Sequence, residues 1–281
     1  MREKELKQRL KFLIDAALSG GDLLRRYFGK ITVAQASYKK GDPINLVSVA
    51  DHESQHLIVG KIRKAFPGEA ILAEEGDLSR GDMAFKKGPL WVLDPLDGTV
   101  NFLHGFPCFA VSFAFCMDGR PLVGAVYAPA QNELFWAQQG SGAYLSAGKA
   151  PASGRRLKVT KAARLDNALM VTGFGYDRRE RADFYLKYYR SFLRIVHDVR
   201  RTGAAAVDLA WLAAGRSDGF WEWSLSPWDV AAGLLLIEEA GGRMTHFDGT
   251  QYSIFRSEET LATNGLIHDE CLNVVGSVPR G

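Results

Sequence analysis

The stretch Trp91-Val92-Leu93-Asp94-Pro95-Leu96-Asp97-Gly98-Thr99 constrains this chain more than any other. Its first three residues have the composition of a buried strand, and that strand runs straight into two carboxylates three residues apart. Like charges side by side in a protein interior are costly. A hard divalent cation between them relieves the cost, because Mg²⁺ prefers oxygen donors and one carboxylate can bridge two ions. Pro95 fixes the turn so that Asp94 and Asp97 can point the same way, and Gly98 has no side chain to hold a ligand off the backbone. Amide N–H groups around Gly98 and Thr99 would suit phosphate oxygens. Taken by itself, the stretch is also satisfied by an Asp-Pro turn followed by ordinary Asp-Gly turn chemistry.

Two further acidic elements have the same double reading. Ala73-Glu74-Glu75-Gly76 follows another short apolar run and could place one more carboxylate beside the first strand's end, or it could be a solvated acidic turn. In Ser226-Pro227-Trp228-Asp229, Ser226 reads as an N-cap, Pro227 as the first helical residue and Asp229 as an acid in the first turn. Helix capping alone explains that acid.

Around these elements the pattern divides. Leu6, Leu10, Leu13, Ala17 and Leu24 recur at helical spacing, which predicts one amphipathic helix over the first 28 residues, ending near Gly29. A second helix is predicted from about Asp51 to Phe66, stopped by Pro67-Gly68, with a polar, mobile loop over residues 37–45 between the two. From Ala70 to Leu145 short β-rich runs separated by turn signals predict a meander of antiparallel hairpins. The Gly, Ala, Pro and Ser of residues 146–156 suggest a boundary, dividing an N-terminal α+β half (1–148) from a C-terminal α/β half (149–281) in which strands and helices alternate.

Composition sets limits. A net charge of +3 is too small to imply a polyanionic partner, so nucleic acid is not indicated. The first eleven residues carry charges throughout, unlike a signal peptide, and the most apolar short run, Val230 to Ile237, is far below a membrane span. A cytoplasmic protein is expected. Three cysteines without close spacing suggest neither a disulfide framework nor a zinc site.

Together, the D-P-L-D-G-T block followed by Val100-Asn101-Phe102 and the W-D-V-A-A-G block at Trp228 resemble the two signature motifs of the inositol monophosphatase family, within the lithium-sensitive, Mg²⁺-dependent phosphatase superfamily. The resemblance extends through Lys40, Asp51, Glu74-Glu75, Gly105-Phe106-Pro107, Gly203-Ala204-Ala205 and Glu238-Glu239-Ala240-Gly241-Gly242, nearly the whole chain. It implies the layered αβαβα sugar-phosphatase fold and hydrolysis of inositol monophosphate or a similar small polyol or sugar phosphate. It implies two to three Mg²⁺ ions per site: Glu74, Asp94 and the Leu96 carbonyl on the first, Asp94, Asp97 and Asp229 on the second, and a weaker third leaning on Glu74. Thr99 with Asp51 would orient and help deprotonate the attacking water, which displaces the alcohol in line with no phosphoenzyme. Gly98, Thr99, Gly203, Ala204, Ala205, Glu222 and Asp229 would contact substrate, with Lys40 in a loop that closes over it. Such enzymes are usually homodimers inhibited by Ca²⁺ and Li⁺.

Asn45 and Ser48 depart from the commoner acid and Thr of relatives, and Leu225-Ser226-Pro227 resembles bacterial members. Fructose-1,6-bisphosphatase and 3′-phosphoadenosine nucleotide phosphatase activities share the metal site and stay open, as does a regulatory or interaction protein that retains the fold. The aromatics Phe220, Trp221, Trp223 and Trp228 read as packing, and the basic runs 178–181 and 200–201 as decoration of helix ends or of a subunit interface.

Overall fold

The computed structural model describes residues 1–42, 45–76, 87–148, 154–256 and 258–279, the side chain of Lys40 excepted. Helix α1 (Glu3–Tyr27) has the predicted extent. The segment predicted as a loop contains a small antiparallel ribbon, β1 (Ser37–Tyr38) with β2 (Leu46–Val47), around a 3-10 turn at Lys39–Gly41. Helix α2 (Val49–Ala65) begins two residues before Asp51, because Ser48 is its cap: the Ser48 hydroxyl accepts from Ala50 N at 3.2 Å.

Strand β3 (Ala70–Ala73) pairs in parallel with β4 (Pro89–Asp97), which the five-residue helix α3 (Thr99–Leu103) follows. The antiparallel meander predicted from Ala70 begins only at β4, since β3 lies parallel beside it: β5 (Ala110–Met117), β6 (Arg120–Ala128), β7 (Glu133–Gln138), β8 (Gly142–Ala147) and β9 (Arg155–Arg156) extend the sheet antiparallel in sequence order. The rest of the chain runs β10 (Leu169–Thr172), α4 (Ala182–Leu193), β11 (Asp198–Arg200), α5 (Ala205–Ala213), β12 (Gly219–Trp223), α6 (Pro227–Glu239), β13 (Arg243–Thr245), β14 (Glu259–Thr263) and α7 (His268–Ser277). These strands form a second sheet in the order β11-β10-β12-β14-β13. Strand β11 has no sequence signal, since only Val199 of its three residues is buried.

Successive side chains of a strand face opposite ways, and that alternation stacks the layers. Trp91 and Leu93 of β4 join Leu13 and Leu24 of α1 and Ile58 and Ile62 of α2. Leu90 and Val92 point the other way, to Val207 and Leu209 of α5 and Leu234 of α6. The same cluster takes in Val171, Phe220 and Ala262 of the second sheet, whose alternate residues Met170, Trp221 and Leu261 pack under Phe192 of α4 and Val275 of α7. Helix, sheet, helix, sheet and helix follow one another, the αβαβα order the resemblance implied. The middle helices are covered on both sides, which is why α6 is apolar all round from Val230 to Ile237; among the described residues no helix is long and apolar enough to cross a membrane.

Candidate active site

Strand β4 does not stop at Leu93. It stays paired through Asp97, with a register slip: Asp94 opposes Ser112 and Asp97 opposes Ala110, so three steps along β4 match two along β5. In a regular strand residues three apart face opposite sides, and one inserted residue cancels that. The bulge turns Asp94 and Asp97 to the same face. Pro95, which has no N–H to offer a neighbouring strand, falls inside the irregularity, where its missing donor costs no ladder bond.

Neighbouring elements hold each acid. Leu96 N donates to Asp94 Oδ1 at 3.0 Å. Helix α5 has Ala204 at its N-cap and no capping side chain of its own, so Ala206 N donates to Asp97 Oδ2 at 2.9 Å instead. Asp229 sits in the first turn of α6 after Ser226 and Pro227, with Ser226 N donating to its Oδ2 at 2.6 Å. Glu74 follows β3, its N–H donating to Leu93 O at 3.1 Å, beside the end of β4. Gly98 takes the left-handed conformation, φ +86°, and a Cβ there would lie 2.9 Å from the Cys108 carbonyl oxygen. The close approach of backbone to backbone, rather than room for a ligand, is what demands this glycine.

Burial first, and then the charges of Glu74, Asp97 and Asp229, hold the Asp94 carboxyl well above its usual range, helped by a hydrogen bond with Glu74. Burial, then Asp229 and Asp208, do the same to Asp97, against the opposing pull of the Ala206 and Val207 N–H groups. Asp51 is fully buried and also raised, chiefly by burial; its Oδ2 accepts from Ser48 N at 2.8 Å and Ser48 Oγ at 2.6 Å. Thr99 Oγ1 lies 2.9 Å from Asp51 Oδ1 and 3.1 Å from Leu96 O.

These acids crowd one another, yet among the described residues no three His, Cys, Asp or Glu side chains form a ready cation cage. Among the described residues the positive charge on Glu74 is Lys39, whose Nζ lies 2.8 Å from Glu74 Oε1 and 2.5 Å from Glu75 Oε1. Its chain neighbour Lys40, the basic residue singled out from sequence, has its side chain outside the described residues.

A pocket of about 940 Å³ opens over the site, walled by Glu74, Asp97, Gly98 and Thr99 on one side and by Gly203, Ala204, Ala205, Glu222 and Asp229 on the other. Asp51, Asp94 and Leu96 lie behind that wall. Glu222 of β12 is buried, its carboxylate so close to Gly173 that a Cβ there would be 2.2 Å away. Burial first, then Asp208 and Asp229, push its carboxyl well up. Trp221 and Phe220 are core residues, whereas Trp223 and Trp228 reach the pocket rim.

Several residues in or beside the pocket were assigned no site role from sequence. Asp208 is buried in α5 and pushed up to about 8 by that burial, with Thr202 Oγ1 donating to it at 2.6 Å. A single acid inside the apolar run Ala204 to Ala214 was the available signal. Asn101 clamps the turn after β4 to the loop before α5, donating to Cys108 O at 2.7 Å and Thr202 O at 2.9 Å. Arg178 and Arg201, read as surface decoration, line the pocket.

An αβαβα stack with a carboxylate-lined pocket where β4, α5 and α6 meet is the architecture of a sugar-phosphatase-like protein. The chain belongs to the inositol monophosphatase family, whose model it matches over residues 5–278. It is 38% identical over 270 residues to the fructose-1,6-bisphosphatase/inositol-1-monophosphatase of Thermotoga maritima, covering 96% of each. With the inositol-1-monophosphatase of Caulobacter vibrioides it shares 40% over 261 residues, 92% of this chain and 98% of that one. The Nus factor SuhB of Pseudomonas aeruginosa is 42% identical over 243 residues, 86% of both. The solved inositol monophosphatase from Anabaena superposes with a TM-score of 0.83 at 39% identity, over 98% of both chains.

Proposed function

We propose that this chain is a Mg²⁺-dependent phosphomonoesterase for inositol monophosphate or a similar small polyol or sugar phosphate. The observation that carries the reading is the β4 bulge, which turns two buried, mutually repelling carboxylates to one side beneath a pocket. Their donor chemistry fits a hard dication, because the charges that raise Asp94 and Asp97 are those such an ion would neutralise. Glu74, Asp94 and the Leu96 carbonyl would hold one ion, Asp94, Asp97 and Asp229 a second, and Glu74 would support a third; Lys39 must then give up Glu74. When bound, the ions acidify water and neutralise charge on the transferring group.

The protein's own residues supply positioning and proton transfer. Asp51 accepts the Thr99 hydroxyl proton as Thr99 takes one from the attacking water, and burial makes Asp51 a stronger base than a solvated aspartate. The water oxygen bonds phosphorus in line as the ester P–O bond breaks, and the leaving oxygen is protonated from solvent. Backbone N–H groups at Gly98, Thr99, Ala204 and Ala205 orient phosphate beside Gly203. Glu222 accepts from substrate hydroxyls. On this reading residues 1–148 supply most of the metal ligands and 149–281 the substrate contacts with Asp229. Lys40 closes the loop over the phosphate. A cytoplasmic homodimer, inhibited by Li⁺ and Ca²⁺, completes the proposal.

Phosphate release from a panel of inositol, glycerol, fructose and nucleotide phosphates tests it. Turnover should need Mg²⁺ and disappear in Asp97→Ala and Asp229→Ala; activity in excess EDTA refutes it. The relative named Nus factor SuhB favours a second reading, an interaction protein on the same fold. Asp94→Asn separates the two, since a binding function survives it and hydrolysis does not.

A further inference from the structure

Arg178 and Arg201 enter the pocket from elements the acidic centre does not use, the turn between β10 and α4 and the residue after β11. Arg201 Cζ lies 5.9 Å from the ring centroid of Phe174, another wall residue, and its Nη1 stands 2.8 Å from where a Cβ on Gly203 would be. Arg178 Nη1 donates to Gly175 O at 3.3 Å. Two nearby arginines are paired: Arg181 with Asp177 at 2.9 Å and Arg200 with Asp198. Among the described residues no carboxylate lies at ion-pair distance from Arg178 or Arg201. The field of Arg201 reaches Asp208 and Glu222, without a direct pair to either. Arg178 is driven below its ordinary value by burial first and by the Arg201 charge second, which places the two guanidinium groups within each other's field.

Two like charges facing one pocket, Arg178 half-buried and Arg201 exposed, with no carboxylate at ion-pair distance among the described residues, suit an anion, which guanidinium groups bind in a bidentate fork. The phosphate being hydrolysed is engaged at the acidic end and is not available to them. We infer that Arg178 and Arg201 form a second oxyanion subsite, so the preferred substrate carries another anionic group, phosphate or carboxylate, beyond the scissile phosphate. The pocket of about 940 Å³ has room for a phosphorylated sugar with such a group. This rests on the phosphomonoesterase reading above and specifies its substrate class.

The test compares a neutral polyol monophosphate, fructose 1,6-bisphosphate and 6-phosphogluconate, in the native protein and in R178Q/R201Q. The native protein should favour at least one doubly anionic substrate in kcat/KM by about tenfold or more, and the double variant should lose most of that ratio. R178K/R201K should recover part of it. A drop confined to the bisphosphate assigns the subsite to phosphate, and one confined to phosphogluconate to carboxylate. A ratio unchanged within about twofold overturns the inference. Calorimetric titration of fructose 1,6-bisphosphate in EDTA separates the two readings: binding that depends on both arginines, in a protein that hydrolyses none of the three, would retain the subsite and discard the phosphatase. Equal affinity in native and variant discards the subsite. If the double variant does not fold, each single Arg→Gln variant is read by the same ratio.

Discussion

Replacing Gly98 by alanine tests the packing of the turn that carries the site, and its cost can be worked from neighbouring atoms. The residue has φ +86° and ψ 37°, left-handed values that cost a side-chain-bearing residue about 1–2 kcal/mol. The added Cβ would also stand 2.9 Å from Cys108 O and 3.1 Å from Ala204 Cβ. Neither neighbour retreats easily. Cys108 O is held by Asn101 Nδ2 at 2.7 Å, and Ala204 opens the helix that caps on Asp97. Overpacking of this kind costs about 1–3 kcal/mol, and the reduced freedom of the unfolded chain returns less than about 1 kcal/mol. Gly98→Ala should therefore destabilise the protein by about 2–4 kcal/mol. Gly29→Ala is the control: Gly29 is also left-handed, φ +76°, but nothing stands within 4 Å of its would-be Cβ, so only the conformational cost remains, about 1 kcal/mol. Urea unfolding in EDTA, read by tryptophan fluorescence, gives both numbers. If Gly98→Ala is no more damaging than Gly29→Ala, the tight contact between the turn and α5 is not there.

Protonation of the acids makes stability without metal depend on pH. Asp51, Asp94, Asp97 and Glu222 are pushed up by burial, Glu75 to about 7 and Asp208 to about 8. Their unfolded values are near about 4, so between those limits the native state binds more protons and stability falls as pH rises. Thermal melts in EDTA should decline from about pH 5 to 8, and Asp208→Asn should flatten the upper end; a rise with pH refutes the reading. Thr99→Ala should lower kcat by about 10²-fold or more with little change in KM, and Thr99→Ser should restore most of the loss. Equal activity in all three would remove Thr99 from proton transfer. Burial pushes the thiols of Cys108, Cys116 and Cys271 up to about 12, so Ellman's reagent at neutral pH should label none until urea is added. Rapid labelling of the folded chain would contradict their burial.

Legibility from sequence followed the range of the interaction. Helix α6 is written locally, in Ser226, Pro227, Asp229 and the apolar run behind them, and its start needed no partner. The meander was legible for the same reason: turn residues and alternation are properties of short segments. The β4 bulge was not, because a register slip is a relation to β5; Asp94 to Asp97 alone reads as the end of a strand. The place of Arg178 and Arg201 in the pocket wall was not legible, because it is set by β10, β11 and Phe174 meeting in space. The contact of Lys39 with Glu74 was not legible either, since adjacent lysines look alike in sequence and the reach of one of them is set by the fold.

The sequence also posed a choice that the structure dissolves, between acids that cap helices and acids that hold metal. Asp51 and Asp229 are the third-residue acids of the capping boxes that open α2 and α6 behind Ser48 and Ser226, and Asp97 caps α5 across 109 residues of chain. Three helix N-termini thus deliver partial positive charge to the acids around one site, each supporting a carboxylate by about 0.3–1 kcal/mol, or about 2 kcal/mol in a buried geometry. That support orients the acids but does not balance them. Asp51 remains raised and Asp97 well above ordinary carboxyl values despite it, and Asp94, for which Leu96 N is the one backbone donor among the described residues, is raised well above them too. On the proposed reading, a cluster positioned by helix ends and still short of positive charge would accept a dication. Capping is therefore the means by which this fold prepares the site, and replacing Asp97 by asparagine should separate the two contributions, leaving the cap on α5 close to native while abolishing turnover.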